Sequence, residues 1–504
     1  MASKGKTKKK AGRRGKRKRS AKGAAARRPS PAPKPRRKRA KAPLPRDRFD
    51  PRAYAKKKAA VLGLGRSGFH TARLLARKGF RVFVSDLRPR KDLRALAAEL
   101  PPKVKWEAGK HSEKLLSCDF AVKSPGIPHS APVLRRLREA GVPVFSEIEV
   151  ALAFCPADEV VAVTGTNGKT TTASLTAAAF SAAKRRVHLA GNIGEALSAS
   201  VGKVRKADTL VIEVSSYQLE DSRHFRPAAA AILNITRDHL DHHGDMSAYM
   251  DAKARIYRRQ DRRHVCVFNA ADPLTMGLAR DCRSRKLFFS HDPSTRSSAW
   301  IEEGKIAVRL PGEKKASKIE PPKLPGAHNL DNAMAAALLA LCRGVKPAAV
   351  SKGFKSFRGV EHRLEDCGRR GPLFCINDSK ATNIDSTLVA LRSLEDRAGG
   401  ILLILGGLQK GGGFKALRPP IERLVKAVLA VGSAGPKIEE DLQGVAHVFP
   451  CATIEQAVSV AFQIGQKGET LLLSPACASF DQFRDFEERG RRFKDLVAKA
   501  GKAS

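Results

Sequence analysis

A chain of 504 residues with 42% hydrophobic content has room for two to four domains with ample cores. Its nine cysteines form no C-x-x-C pair, which argues against a disulfide framework or a cysteine zinc site and for reduced thiols. No apolar run approaches the roughly 18 residues of a membrane span, and no apolar signal core follows the cationic start, so a cytoplasmic location is expected.

The formal charge is +46, and residues 1–50 supply +20 of it, with 22 Lys or Arg against Asp47 and Asp50. This stretch has almost no large apolar side chains and is read as a disordered arm. Residues 1–48 could bind RNA, DNA or an anionic membrane by counterion release, serve as a solvated tail, or act as a transit segment. No aromatic residue precedes Phe49, so stacking on bases has little support.

From Tyr54 onward strand-like runs alternate with helix-like segments, which predicts α/β architecture with parallel sheets. Three domains are expected, at 51–150, 151–359 and 360–504. The first opens with a strand and the pattern Gly63-x-Gly65-x-x-Gly68, then a helix at 69–78 and a strand at 81–86 ending in Asp86. That pattern seats a pyrophosphate on a helix N-terminus, which serves NAD or a UDP-linked substrate equally. Further strands are predicted at 120–122 and 142–145.

The second domain opens on an apolar run that stops at GTNGKT (165–170) and reopens as a helix. Gly165 and Gly168 let backbone N–H groups approach phosphate oxygens, Lys169 reaches terminal phosphates, and the Thr170 hydroxyl suits Mg²⁺. Val163 stands where the full phosphate-loop pattern has glycine, so this is a shortened variant. Strands are predicted at 209–214 and 229–235. Glu213 ends the first, and NITRDHLDHH (234–243) follows the second, so Glu213, His239 and neighbouring carboxylates gather as metal ligands at one sheet edge. By itself Lys253 reads as one cation on a helix.

The third domain has strands predicted at 374–376, 400–405, 425–431 and 470–473. Arg363 is offered to a phosphate. NDSKATN (377–383) and SPACAS (474–479) leave strands rich in small polar groups suited to a zwitterion. Cys477 is read as a buried structural thiol.

Together GTNGKT, GNIG (191–194), EVSSYQLE (213–220), NITRDH (234–239), GAHN (326–329), His362-Arg363, NDSKATN and SPACAS resemble the Mur ligases of peptidoglycan synthesis. The resemblance runs in order over about 57–496, and the last two strings match the D-glutamate-adding branch. The DNPR string of the diaminopimelate-adding branch does not occur. The resemblance implies a UDP-binding N-terminal domain, a central ATPase domain and a Rossmann-like C-terminal domain that admits the amino acid. It favours UDP over NAD, with Gly63, Gly65, Ser67, Gly68, Asp86, Arg88 and Ser124 near the uridine diphosphate. Asn192 and His239 would meet the nucleotide sugar or the reacting carboxylate.

It further implies ATP contacts from Gly165, Thr166, Asn167, Gly168, Lys169, Thr170, Thr171, Asn329, Arg363, Asp378 and Lys380. Lys253 becomes a lysine that takes up CO₂ as a carbamate. Thr170, Glu213, His239 and that carbamate would hold two Mg²⁺, with Lys169, Glu213, His239 and Lys253 catalytic. Thr382, Lys410, Ser479 and Phe486 would cradle D-glutamate. The implied reaction is attack of the L-alanyl carboxylate of UDP-N-acetylmuramoyl-L-alanine on the ATP γ-phosphate, then displacement of phosphate by the D-glutamate amine. A monomer is implied. Leu408 stands where some members place aspartate, which leaves the setting of Lys410 open. The competing readings are a folylpolyglutamate synthase-like ligase, disfavoured by the Gly63 motif, and a nucleic-acid-binding ATPase built around the arm.

Overall fold

The computed structural model describes residues 48–503 apart from 194, 294–295, 325, 396–398 and 410–412. The expectations for residues 1–47 and for Lys410 lie outside the described residues. Three sheets follow one another along the chain.

The first sheet contains β1 (Lys58–Leu62), β2 (Arg81–Asp86), β3 (Lys105–Ala108), β4 (Phe120–Lys123) and β5 (Val144–Ser146), all parallel in the order β3-β2-β1-β4-β5. Phe49 belongs to this fold: it is 4% exposed and stacks on Tyr54, with Phe120 5.1 Å away. Composition had put it at the end of the arm because one aromatic among charges carries no periodic signal. The strand expected at 142–145 begins at Val144, since Pro143 has no N–H and contributes only its carbonyl, which accepts from Ala121 N at 2.8 Å.

The second sheet contains β6 (Glu159–Thr164), β7 (Val187–Gly191), β8 (Thr209–Glu213), β9 (Ala229–Ile232), β10 (Val265–Asn269), β11 (Arg285–Phe289), β12 (Ala299–Glu302), β13 (Lys305–Val308) and β14 (Ser317–Ile319). Their order is β14-β13-β12-β11-β10-β9-β6-β8-β7. The β12–β13 and β13–β14 pairs are antiparallel, an edge the parallel expectation did not contain. Its first hairpin turns on Glu303 and Gly304, with φ of 51° and 71°, the primed turn that matches strand twist. The helix Lys169–Ala182 packs on helices His328–Leu341 and Pro347–Ser356. A Cβ at Gly353 would lie 2.7 Å from Ala178 O, so the missing side chain permits the approach.

The third sheet contains β15 (Glu365–Arg370), β16 (Leu373–Asn377), β17 (Ile401–Gly406), β18 (Val425–Val431), β19 (His447–Ala452) and β20 (Thr470–Leu473) in the order β15-β16-β20-β17-β18-β19. Only the β15–β16 pair is antiparallel. The protein is thus α/β, with three mostly parallel sheets. Among the described residues no helix is long and apolar enough to cross a membrane.

Candidate active site

β6, β8 and β9 are neighbours, so the loops after them share one sheet edge, where ligands of open parallel sheets sit. After Thr164 the chain turns through Gly165–Gly168 into the helix beginning at Lys169. Gly168 has φ of 83°, and a Cβ there would lie 2.1 Å from Asn332 Oδ1, so both backbone and space require glycine. β9 stops at Ile232, short of the expected 235, because the next residues bind this loop. Thr166 N donates to Asn234 O at 2.9 Å, Asn167 N to Asn234 Oδ1 at 2.8 Å, and Thr236 N to Thr166 Oγ1 at 3.0 Å.

Lys169 Nζ folds back on the loop, donating to Gly165 O at 2.9 Å and Thr166 O at 2.7 Å. Burial lowers its pKa, against the pull of Glu213. Thr170 Oγ1 donates to Glu213 Oε2 at 2.7 Å, and Asn192 Nδ2 donates to Glu213 Oε1 at 3.0 Å. Burial pushes the Glu213 carboxyl up, but Lys380, Lys169 and these two hydrogen bonds outweigh it, and the net shift is downward. Thr170 Oγ1 also accepts from Lys380 Nζ at 2.8 Å, a contact between the third domain and the phosphate loop. Burial lowers Lys380 to about 8, with Glu213 opposing.

Two cavities meet here. One of about 240 Å³ is bordered by Asn167, Gly168, Asp331, Asn332, Arg363 and Lys380. The other, about 600 Å³, is bordered by Lys169, Tyr217, His239, Arg363, Lys380 and Thr382. Arg363 lines both, and its Nε is buried without a hydrogen-bond partner among the described residues. An orphaned guanidinium N–H beside a helix N-terminus and a lysine fits a polyphosphate. The oxygen pair Thr170 and Glu213 fits Mg²⁺, a hard cation.

Asp378 borders the smaller cavity from within the domain: it accepts from Leu364 N at 3.1 Å and Ser474 Oγ at 2.9 Å. Burial raises its pKa to about 7, against the pull of Arg363. Asn329 braces Asn332, which donates to it at 3.0 Å through Nδ2, and Thr172 Oγ1 donates to Asn332 Oδ1 at 3.2 Å. Thr171 is buried in the first turn of the loop helix.

Lys253 comes from the helix Met246–Ala254, capped by Asp245, and is 1% exposed. Its Nζ donates to Gly165 O at 2.8 Å and lies 4.5 Å from the Tyr249 ring centre. Tyr249 OH in turn meets Thr166 Oγ1 at 3.0 Å. Burial, reinforced by Lys169, pushes the Lys253 pKa well below its ordinary value, so the free amine is favoured. His239, at φ of 54°, meets Tyr217 OH at 3.1 Å through Nδ1 and Asp238 Oδ2 at 3.4 Å through Nε2.

In the first domain the helix Arg66–Arg77 begins three residues before the expected start, with Gly65 as its N-cap. Gly68 therefore lies within its first turn, where a Cβ would clash at 1.9 Å with Gly63 O. Around Gly65 a Cβ would meet nothing within 4 Å and its φ is −79°, so neither backbone nor packing demands glycine there. Asp86 accepts from Leu64 N at 2.6 Å and from Arg88 at 2.8 Å. Burial raises its carboxyl pKa, but Arg88 and the backbone N–H groups outweigh this and hold it at about 2. Ser124 Oγ donates to Gly63 O at 3.3 Å, and Ser67 is half-buried on the same helix start.

Thr382 lines the larger cavity, and Phe486 packs under Lys380, its ring centre 5.5 Å from Nζ. Ser479 does not border that cavity: it is 2% exposed and its carbonyl caps the turn at Gln482 and Phe483. Cys477 lines the cavity but is itself buried. Sequence reasoning had not singled out Asn332, Tyr249 or Arg489. Asn332 was findable, one helical turn after Asn329. Arg489 is buried and donates to Ser379 O at 2.8 Å and Cys477 O at 3.1 Å, joining the two member-specific strings; within a charged helix nothing marks it.

The chain matches the family models for the Mur ligase MurD-like N-terminal domain at 57–146, the Mur ligase middle domain at 163–340 and the Mur ligase glutamate ligase domain at 362–477. It is 44% identical to a UDP-N-acetylmuramoylalanine–D-glutamate ligase of Elusimicrobium minutum, over 89% of this chain and 99% of the relative. A protein of the same name from Acidobacterium capsulatum is 41% identical over 88% of this chain and 96% of its own length. Among solved structures, a UDP-N-acetylmuramate–alanine ligase of Thermotoga maritima shares the fold at a TM-score of 0.57 and 22% identity, covering 88% of this chain and 100% of that one. Mur ligases use ATP and Mg²⁺. With all three sheets matched in order, the chain belongs to the Mur ligase family and is an ATP-dependent ligase.

Proposed function

We propose that the chain joins D-glutamate to UDP-N-acetylmuramoyl-L-alanine in cytoplasmic peptidoglycan precursor synthesis. The reading is supported by relatives of that printed name across nearly their full length. The observation that carries the chemistry is the 2.8 Å bond from Lys380 to Thr170, which sets the third domain against the phosphate loop. In this reading 51–150 binds the UDP group, 151–359 binds ATP and 360–504 admits D-glutamate. The nine scattered cysteines, with no C-x-x-C pair, fit a reducing compartment, and the working unit is a monomer.

ATP phosphates lie on the N–H groups of Gly165–Thr171, where Lys169 exchanges its two carbonyl partners for phosphate oxygens. Arg363 supplies its orphaned Nε, Asn329 and Asn332 hold the loop's outer side, and Asp378 sets the backbone at Leu364. Thr170, Glu213, His239 and Lys253 as a carbamate would hold Mg²⁺, which offsets charge on the transferring phosphoryl group. The L-alanyl carboxylate oxygen bonds to the γ-phosphorus as the bond to ADP breaks. The D-glutamate amine then bonds to the acyl carbon, and inorganic phosphate leaves as the amine loses its proton. Thr382, Phe486 and Lys410 form the D-glutamate side, and Ser479, which does not border the cavity, is left out of it. CO₂ adds to a free amine, and burial shifts Lys253 toward that form, which supports the carbamate. Gly65, Asp86, Arg88, Ser67 and Ser124 hold the uridine diphosphate, and Asn192 meets the acceptor beside Glu213.

The test is ADP release with each substrate withheld in turn. Release requiring both UDP-N-acetylmuramoyl-L-alanine and D-glutamate is expected; preference for L-glutamate, or release with neither, would reject the assignment.

A further inference from the structure

A cleft of about 830 Å³ in the central domain shares no lining residue with the two cavities at Lys380. The helix Met246–Ala254 gives it Ser247, Met250, Asp251 and Ala254, spaced i, i+3, i+4 and i+7, a stripe that does not include Lys253. Five arginines line it, Arg223, Arg255, Arg258, Arg259 and Arg283, against Asp251 and Asp281, a net of three positive charges. Arg258 pairs with Asp251, and Arg259 Nε donates to Arg223 O at 3.0 Å. Arg255 Nε is buried and has no hydrogen-bond partner among the described residues. Arg223 also lines a neighbouring cavity of about 210 Å³ together with Arg138, His129 and Asp221.

Converging guanidiniums that outnumber the carboxylates raise a positive potential that an anion relieves, and their planar forks match phosphate oxygens. Residues 1–50 carry +20 and are no complement to this cleft. Tyr257, the aromatic in its wall, is buried with its hydroxyl donating to Leu278 O at 2.9 Å, so it offers no ring face for a base.

We propose that this cleft binds a phosphate-rich polyanion through its phosphates alone, either a free polyphosphate or the backbone of single-stranded RNA. The binding is independent of the ligase reaction and of the arm.

The full-length protein and its Arg223→Gln/Arg255→Gln/Arg283→Gln variant would be titrated with inorganic tripolyphosphate and, separately, with an eight-residue oligouridylate. Amide hydrogen exchange over 246–259 reads the cleft without interference from the arm. Protection there by tripolyphosphate alone identifies a free polyphosphate site; protection by the oligonucleotide, displaced by tripolyphosphate, identifies a backbone site. Either result supports the proposal, provided the variant binds at least about tenfold more weakly and its ADP release is unchanged. The single variant Arg283→Gln, at an exposed position outside the helix, gives the same comparison if the triple variant is unstable. With three phosphates engaged, log affinity for the oligonucleotide should fall against log salt with a slope of about −2. No protection of 246–259 by either probe, or equal protection in wild type and variants, overturns the proposal.

Discussion

Lys380 Nζ donates to Thr170 Oγ1 at 2.8 Å while Thr170 donates to Glu213 Oε2 at 2.7 Å, so one hydroxyl joins a cation from the third domain to a carboxylate of the second. The ammonium stands beside the oxygens suited to Mg²⁺. Lys380→Ala should therefore lower kcat for ADP release by about 10²–10³-fold, the cost of one preorganised charge donor, and expand the molecule in small-angle scattering. A full-rate variant with unchanged dimensions would remove Lys380 from the site.

Lys253→Ala should lose activity by at least about 10²-fold and regain part of it with a short carboxylate additive that replaces the carbamate oxygens. The measurement is kcat with and without acetate or formate. Undiminished activity in the variant would reject the carbamate role.

The two glycine loops separate by mechanism. Gly168→Ala meets positive φ and Asn332 Oδ1 at 2.1 Å, so it should lower the thermal midpoint and abolish ATP binding. Gly65→Ala has ordinary φ and open space, so the midpoint should hold while KM for the UDP substrate rises about tenfold or more. Calorimetry and steady-state kinetics on the pair check this.

Asp378 titrates at about 7 in the folded protein and near 3.8 when free. Between those values the native state binds more protons than the unfolded state, so this group's contribution to stability falls as pH rises from about 4 to about 7 and is level above. Asp378→Asn removes that dependence. Urea midpoints should shift progressively in the variant's favour from pH 5 to 7, relative to wild type, and stay parallel from pH 7.5.

Lys123 is 2% exposed and meets Asp221 Oδ2 at 2.6 Å, Glu220 Oε2 at 3.7 Å and Ile127 O at 2.8 Å. It ties β4 to the segment after β8. Lys123→Met removes the buried ammonium from Asp221, which keeps His129 Nδ1 at 3.1 Å, and should cost about 3 kcal/mol, read by denaturant unfolding.

The catalytic edge was legible because strand ends and glycine spacing are local patterns. Glu213 follows an apolar run, and GTNGKT follows another, so their meeting needed only parallel pairing. Lys253 was not legible from its own surroundings: a lysine at 1% exposure is a tertiary fact, and only the family resemblance singled it out. Lys123 and Arg489 are buried cations of the same kind. The β12–β14 edge escaped because short strands with charged turns show little periodicity. Ser479 was read as a cradle residue from its string, yet the fold puts it behind Cys477 and Ala476, which line the cavity themselves.

The central claim is that the phosphate loop activates a substrate carboxylate by making an acyl phosphate. Substrate labelled with ¹⁸O in the L-alanyl carboxylate tests it directly, by mass spectrometry of the released phosphate. The account predicts one ¹⁸O per inorganic phosphate when ATP and D-glutamate are present. Unlabelled phosphate released at the rate of amide formation would contradict it.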